Sequence, residues 1–123
     1  MKKQLKIILL LISTTLFAQY PDVSYETREI KKEAKKLTKI YDAKLGLDGS
    51  QLPIFQDKVE DYLVLSNKVR KDFEGREELE ELTKLMVKES LEMKDLLTRV
   101  QYQVYKNIRQ DIQPLKALKA DDE

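Results

Sequence analysis

The side chains that could do chemistry in this chain are carboxylates, lysines and tyrosines, because its 123 residues include no His and no Cys. Without Cys there is no thiolate nucleophile, disulfide or cysteine-ligated metal, and without His there is no Ser-His-Asp triad. Histidine is also the commonest metal ligand and the usual proton shuttle near neutral pH. The three Gly residues of the chain do not form a G-x-x-x-x-G-K phosphate loop. Nothing in the sequence gathers the remaining polar residues into one site. The sequence therefore predicts a protein that is not an enzyme and has neither a cofactor nor a metal site.

A leucine, a short polar residue and a glutamine recur at the same spacing in two places fifty residues apart, Leu47-Asp48-Gly49-Ser50-Gln51 and Leu97-Thr98-Arg99-Val100-Gln101. This pattern is typical of a capping box, in which a short side chain accepts from the amide three residues on and the Gln reaches back to the cap amide. The preceding Leu is placed to pack against apolar groups of the new helix. In the first copy Pro53 disturbs the ideal geometry, so Ser50 is an alternative cap there. The motif predicts two helix starts.

The first residues of the chain have the features of an export signal. Three lysines within the first six residues precede an apolar run over Ile7–Phe17, and the small residue Ala18 follows. An uncleaved membrane anchor is the alternative, but the run is shorter than the roughly 20 apolar residues that a spanning helix needs. We expect residues 1–18 to be a secretory signal peptide, cleaved after Ala18 or Gln19. Since no Cys is available for a lipid anchor, we expect a soluble, exported and periplasmic protein without stable membrane insertion.

Removal of that signal changes the charge of the chain. The full chain has a formal net charge of +1, but residues 1–18 contain three basic residues and no acidic one. The rest therefore carries 20 basic and 22 acidic residues, a net charge of −2. A balance so close to zero gives no indication of a nucleic-acid partner or of an anionic membrane.

The segment from residue 23 to residue 45 predicts an amphipathic helix. One face carries apolar residues at successive spacings of 7, 4, 3, 4 and 4, namely Val23, Ile30, Ala34, Leu37, Tyr41 and Leu45. The opposite face is basic and consists of Arg28, Lys31, Lys32, Lys35, Lys36 and Lys39. We interpret the basic face as a solvated surface, with a contact surface for an acidic partner as the alternative.

A second helix is predicted after Gly46, beginning near Asp48 or Ser50 and ending before the break at Glu74-Gly75. Its apolar surface is wider than one stripe, because Ile54, Val64 and Leu65 lie outside the main helical spacing. Such width indicates contacts on more than one side, as in a dimer.

The third and fourth helices complete an all-α fold. In the third we expect the apolar residues to face inward, namely Leu79, Leu82, Leu85, Met86, Met93, Leu96 and Leu97. The fourth is predicted from Arg99 to about Ile112, and Pro114 stops or bends it. No strand pattern competes with these helices. Residues 19–114 thus form a single all-helical domain, and residues 115–123 are expected to be a flexible acidic tail.

Together, the signal, the helical chain, the missing Cys and the two motifs resemble the Spy/CpxP family of small periplasmic proteins, which carry two L-T-x-x-Q motifs. The second copy matches in full, whereas the first has Asp48 in place of Thr, a change that preserves capping. The resemblance extends over Pro21–Pro114. It implies about four helices in a long bent hairpin and an antiparallel, cradle-like homodimer. Zinc-binding relatives use His and Cys, which this chain lacks.

The resemblance also implies a function. Spy-like members are chaperones that hold unfolded clients without ATP, and CpxP-like members also restrain a sensor kinase. We therefore expect a chaperone or envelope-stress adaptor that binds unfolded or envelope proteins. The alternative is a dedicated regulatory partner of an envelope sensor kinase, without general chaperone activity. Candidate contacts for such a partner are Lys32, Lys35, Lys36, Lys39, Tyr62, Met86 and Met93. The aromatic and the two methionines also fit an ordinary helical core.

Overall fold

The computed structural model describes residues 21–115, with side chains described from residue 26 onward. Four helices follow one another along this part of the chain: α1 Pro21–Leu45, α2 Gln51–Asp72, α3 Gly75–Leu96 and α4 Arg99–Ile112. No strand occurs within residues 21–115. The predicted all-α fold of four helices is confirmed. The predicted signal peptide with its cleavage site, and residues 116–123 of the predicted tail, lie outside the described residues.

Helix α2 occupies the middle of the fold, because it packs along both α1 and α3, and the shorter α4 lies against α1 and α3. The short connections between helices are typical of antiparallel neighbours. Three aromatic rings from α1, α2 and α4 meet in the core: Tyr41 lies 5.2 Å from Phe55 and 5.5 Å from Tyr105, measured between ring centroids. The aromatic centre of the core therefore lies where three helices converge, and Met93 of α3 completes the core cluster.

The predicted apolar face of α1 is confirmed from Ile30 to Leu45, whereas the side chain of Val23 lies outside the described ones. Its buried residues are Ile30, Ala34, Leu37, Tyr41 and Leu45. The helix ends at Gly46, whose φ of +63° is in the left-handed region that favours glycine. No heavy atom would lie within 4 Å of a Cβ at this position. The glycine is thus needed for its backbone conformation and not for space.

One inward-facing prediction for α3 is wrong. Leu79 was expected in the core, but 39% of its surface is exposed. The buried stripe of this helix instead passes through Glu78, Leu82, Glu89 and Met93, which recur at helical spacing. Because consecutive residues of a helix are 100° apart, burial of Glu78 turns Leu79 away from the core.

The additional apolar residues of α2 remain on the surface of the single chain. Ile54, Val64 and Leu65 are all exposed. Within the described part of the chain, none of the helices has an apolar stretch long enough to cross a membrane.

Candidate functional site

The second copy of the repeated motif forms the predicted capping box at the start of α4. The Thr98 hydroxyl accepts from the Gln101 amide at 3.2 Å, and the Gln101 Oε1 accepts from the Thr98 amide at 3.0 Å. Leu97 precedes the box and is buried in the core cluster. Local polar chemistry and one buried leucine therefore set the direction in which α4 leaves its loop.

The first copy forms the same pair of bonds, with Asp48 as the cap. Its Oδ1 accepts from the Gln51 amide at 2.8 Å, and the Gln51 Oε1 accepts from the Asp48 amide at 3.1 Å. The same carboxylate oxygen accepts from the hydroxyl and the amide of Ser50. The Ser50 hydroxyl and the Gln51 amide hold the pKa of Asp48 below its usual value. Ser50, the alternative cap, occupies the N-cap position of α2 but makes no side-chain cap bond to it, so the capping side chain is that of Asp48.

The two boxes meet through their glutamines, fifty residues apart in the chain. Gln51 Nε2 donates to Gln101 Oε1 at 2.8 Å, and Gln101 Nε2 donates back to Gln51 Oε1 at 3.1 Å. Each glutamine also donates to the end of the helix that precedes the other box: Gln51 to the Leu96 carbonyl at 3.2 Å, and Gln101 to the Gly46 carbonyl at 3.3 Å. The loops between α1 and α2 and between α3 and α4 are thus joined by a reciprocal amide pair.

A buried ion pair forms a second polar cluster, between α3 and α4. Glu89 Oε1 accepts from the Tyr105 hydroxyl at 3.1 Å and from Arg109 Nε at 3.2 Å. The Arg109 guanidinium lies 4.9 Å from the centroid of the Tyr62 ring and donates through Nη1 to the Gln113 carbonyl. Arg109 is therefore held between a carboxylate, an aromatic face and the carboxyl end of its own helix.

Burial dominates the protonation of this cluster. It raises the pKa of Glu89, although the Arg109 charge and the Tyr105 hydrogen bond oppose that shift. Burial also disfavours the charged form of Arg109, but Glu89 together with Tyr41, Tyr105 and Tyr62 outweighs that effect and raises the pKa of Arg109. The pKa values of Tyr41 and Tyr105 are raised by burial. Both tyrosines are therefore neutral hydrogen-bond donors at physiological pH.

The helical spacing is the signal that could have located this cluster, although neither Glu89 nor Arg109 is among the predicted site residues. Glu89 lies four residues before Met93, and Arg109 lies four residues after Tyr105, so each charge takes a position on an otherwise apolar face. The spacing does not show that these two charges meet, because their pairing depends on how α3 and α4 pack.

The four lysines predicted as candidate contacts are on the surface of α1. Lys32 lies 3.9 Å from Glu29 within the helix. Lys35, Lys36 and Lys39 are exposed and form no ion pair with any described residue. These three side chains are free to contact an acidic partner.

The other three predicted contacts differ in accessibility. Met93 has no exposed surface and lies in the core cluster, so it does not reach a partner from the folded chain. Tyr62 is almost buried, with its ring under Arg109. Met86 is half-buried. The buried Met93 and Tyr62 therefore do not join the exposed lysines of α1 in one surface patch.

An open cavity of about 270 Å³ lies between α2 and α3, and we call it the α2–α3 groove. Residues from both helices line it, including Lys58, Asp61 and Leu65 on α2 and Leu85, Glu89 and Glu92 on α3. Its walls combine apolar and charged side chains. The sequence pattern indicated the apolar width of α2 but not this groove, since its second wall belongs to another helix.

No group of three acidic side chains within the described residues is placed to hold a metal ion. Comparison of the chain with models of known protein families, with curated proteins and with solved structures found no significant match. Interpretation of the surface and the groove therefore depends on their own geometry and chemistry.

Proposed function

We propose that this protein is an exported chaperone that works without ATP, or an envelope-stress adaptor, and that it binds unfolded or partner proteins in the periplasm. The observation that carries the proposal is a set of large apolar side chains exposed on α2 and α3 outside the proposed dimer contact, namely Ile54, Val64, Leu65 and Leu79. Charged residues surround them. A surface of this kind offers apolar contact to many different clients without one specific pocket.

The resemblance to the Spy/CpxP family supports the same proposal. The order of four helices agrees with it. The two motifs on which the resemblance was based both form capping boxes, Asp48 with Gln51 and Thr98 with Gln101. Export is proposed from the amino-terminal segment, in which three lysines precede an apolar run.

We also propose that the protein is a homodimer whose two copies meet through α3. Val87 and Leu91 are one turn apart near the middle of the helix and are about half exposed. The exposed residue Glu80 lies as far before Val87 as the exposed residue Lys94 lies after it. If two copies of α3 pack antiparallel about Val87, Glu80 of each copy lies opposite Lys94 of the other copy. A two-fold interface requires such reciprocal pairs.

The test of the chaperone function is suppression of aggregation of several chemically different unfolded proteins at low salt. We expect suppression near equimolar ratio. Replacing Val64 and Leu65 by Ser should weaken it, whereas Val100→Ser should not. Val100 is the matched control because it is 74% exposed and belongs to α4, a helix that contributes none of the exposed apolar residues named above. Failure to protect any client, or equal loss in the control, would contradict the proposal.

A dedicated regulatory function, as partner of an envelope sensor kinase, is the second candidate. The exposed Lys35, Lys36 and Lys39, which pair with no described acidic residue, favour it because they suit one acidic partner. A pull-down from envelope extracts should then give one stoichiometric partner, lost when the three lysines are changed to Gln, while aggregation of test proteins is not suppressed. Suppression of aggregation without a stoichiometric partner would favour the chaperone.

A further inference from the structure

A second open cavity, of about 400 Å³, lies between α1 and α2, and we call it the α1–α2 groove. Two apolar residues, three carboxylates and one amide line it, namely Ile30, Leu63, Glu26, Glu29, Glu33 and Asn67. In contrast to the α2–α3 groove, its described lining includes no basic residue. The groove therefore suits a segment that is both apolar and basic.

The carboxyl end of α4 lies next to this groove. Residues 112–114 line a neighbouring cavity that shares Glu33 and Leu63 with the α1–α2 groove. Gln113 is held on α1, because its Oε1 accepts from the Tyr41 hydroxyl at 2.7 Å. The structure describes the chain as far as residue 115. The segment that follows therefore starts beside the groove.

The direction of α4 leads that segment along the groove. At the start of α4, Gln101 donates to the carbonyl of Leu45, the last residue of α1. Residues 112–114 lie instead beside Glu33, closer to the beginning of α1, so the two helices are antiparallel. Glu33 and Glu26 are separated by about 10 Å along α1, since a helix rises 1.5 Å per residue. About three extended residues span that distance.

The sequence of the following segment is complementary to the groove. Residues 115–119 read Leu-Lys-Ala-Leu-Lys, which combines two leucines with two lysines. Leu115 is already half-buried. A lysine packs its apolar stem on a surface and keeps its ammonium at the edge, where carboxylates are accessible. The acidic residues 121–123 come after the stretch that spans the groove.

The carboxylates of the groove are accessible to a lysine. Glu33 is exposed and forms no ion pair within the described residues. Glu29 lies 3.9 Å from Lys32, and 51% of its side chain is exposed. Glu26 pairs with Lys71 at 3.1 Å. Glu33, which is nearest to the end of α4, is therefore the carboxylate with the least competition.

We propose that residues 115–119 bind in the α1–α2 groove as a strap that continues α4 along α1. The two leucines of the strap pack on the apolar lining. Lys116 pairs with Glu33, and Lys119 pairs with Glu29 farther along the helix. The strap covers the groove and extends the contact between α4 and α1. This inference goes beyond the proposed function, because it concerns a contact within one chain and involves no client.

The experiment measures disulfide formation between one cysteine in the strap and one in the groove, which is possible because the chain has no Cys of its own. Ala117→Cys, which keeps both leucines and both lysines, is combined with Asn67→Cys on the α2 side of the groove. The matched control combines Ala117→Cys with Lys68→Cys. Lys68 is the next residue of α2, but it lines a different cavity.

Under mild oxidation we expect the bond within one chain to form at least about tenfold faster in the Asn67 pair than in the Lys68 pair, because a disulfide requires Cα atoms within roughly 7 Å. Non-reducing gels and intact mass follow the reaction. Equal rates would show that residues 115–119 move freely, as in a flexible tail, and would overturn the inference. Bonds formed mainly between two chains would also overturn it, since a second copy would then occupy the groove.

Charge reversal tests the proposed ion pairs in the same assay. In the Asn67 pair, Lys116→Glu with Lys119→Glu should slow the disulfide about fivefold. Adding Glu29→Lys with Glu33→Lys should restore most of the rate, because the pairs are then re-formed with opposite signs. A reversal that leaves the rate unchanged, or a slow rate that the second pair of changes does not restore, would overturn the inference.

A matched reversal elsewhere on α1 separates the groove from the net charge of the chain. Lys35→Glu with Lys39→Glu makes the same change of charge at exposed residues that do not line the groove. This variant should leave the disulfide rate of the Asn67 pair unchanged, and slowing equal to that of the strap variant would overturn the inference. Since no client is present in the assay, its outcome is independent of the chaperone test.

Discussion

The reciprocal glutamine pair allows a quantitative test of how the two loops are joined. The perturbations are Gln51→Ala, Gln101→Ala and the double variant. Each glutamine caps its own box, contacts the other glutamine and donates to the end of a distant helix. Replacing one glutamine by Ala removes every bond that this glutamine makes, including the two bonds between the glutamines. Each single variant therefore loses those two shared bonds, whereas the double variant loses them only once.

The expected loss in free energy of unfolding follows from the number of hydrogen bonds that each variant removes. A typical intramolecular hydrogen bond contributes about 0.5–1.5 kcal/mol net, and unpaired buried groups cost more. Gln51 is buried and makes two bonds to Gln101, one to the Asp48 amide and one to the Leu96 carbonyl. We expect each single variant to lower the free energy of unfolding by about 2–4 kcal/mol. Because two bonds are shared, the double variant should lose about 1–2 kcal/mol less than the sum of the singles.

The assay is urea unfolding followed by circular dichroism, with Gln103→Ala and Gln110→Ala as controls. Both control residues are exposed on α4, so they report the effect of a Gln to Ala change in a helix without the network. A fourth variant, Gln101→Glu, keeps the acceptor for the Thr98 amide and for Gln51 Nε2 but removes the donor to Gln51 Oε1, so it should retain part of the coupling. If the losses in free energy of unfolding of the two single variants add up to that of the double variant, the pair does not join the loops. Losses no larger than in the controls would refute it as well.

Three further predictions concern a turn, a buried charge and a surface. Gly46→Ala should lower the free energy of unfolding by about 1–2 kcal/mol, because its φ is +63°. Gly49→Ala should be neutral or stabilising in the same urea unfolding assay, because its φ is not positive and the space around it is open. Burial raises the pKa of Glu89, so the folded protein binds a proton there more tightly than the unfolded chain does. Its contribution to stability should fall as the pH rises above about 4.5, and Glu89→Gln should remove that slope in urea melts between pH 4.5 and neutrality. Replacing Val87 and Leu91 by Ser should convert a dimer to a monomer at micromolar concentration in light scattering, and a monomeric parent protein would contradict the α3 interface.

Features that depend on neighbours in the chain could be predicted well. The bounds of α4 are those expected from its apolar spacing and from Pro114. Thr98 and Asp48 cap their helices as expected, since each partner amide is only three residues away. The basic face of α1 is exposed because the opposite face supplies the core.

Features that depend on distant parts of the chain could not be predicted. Leu79 was assigned to the core by its residue type, but the rotation of α3 is set by what packs against the helix, and Glu78 takes the buried position. Nor does any local pattern show that Glu89 and Arg109 form an ion pair, since they belong to different helices. The α2–α3 groove likewise has walls from two helices.

Helix ends, the apolar face of α1 and the absence of reactive side chains can be read from the chain alone, because these properties are encoded within a few residues. The contact between Gln51 and Gln101, and the burial of Glu89 with one oxygen unpaired, result from the way the helices pack. The physical reason is that a hydrogen bond or an ion pair requires two groups within a few ångströms, and helix packing brings together groups that the chain separates by many residues.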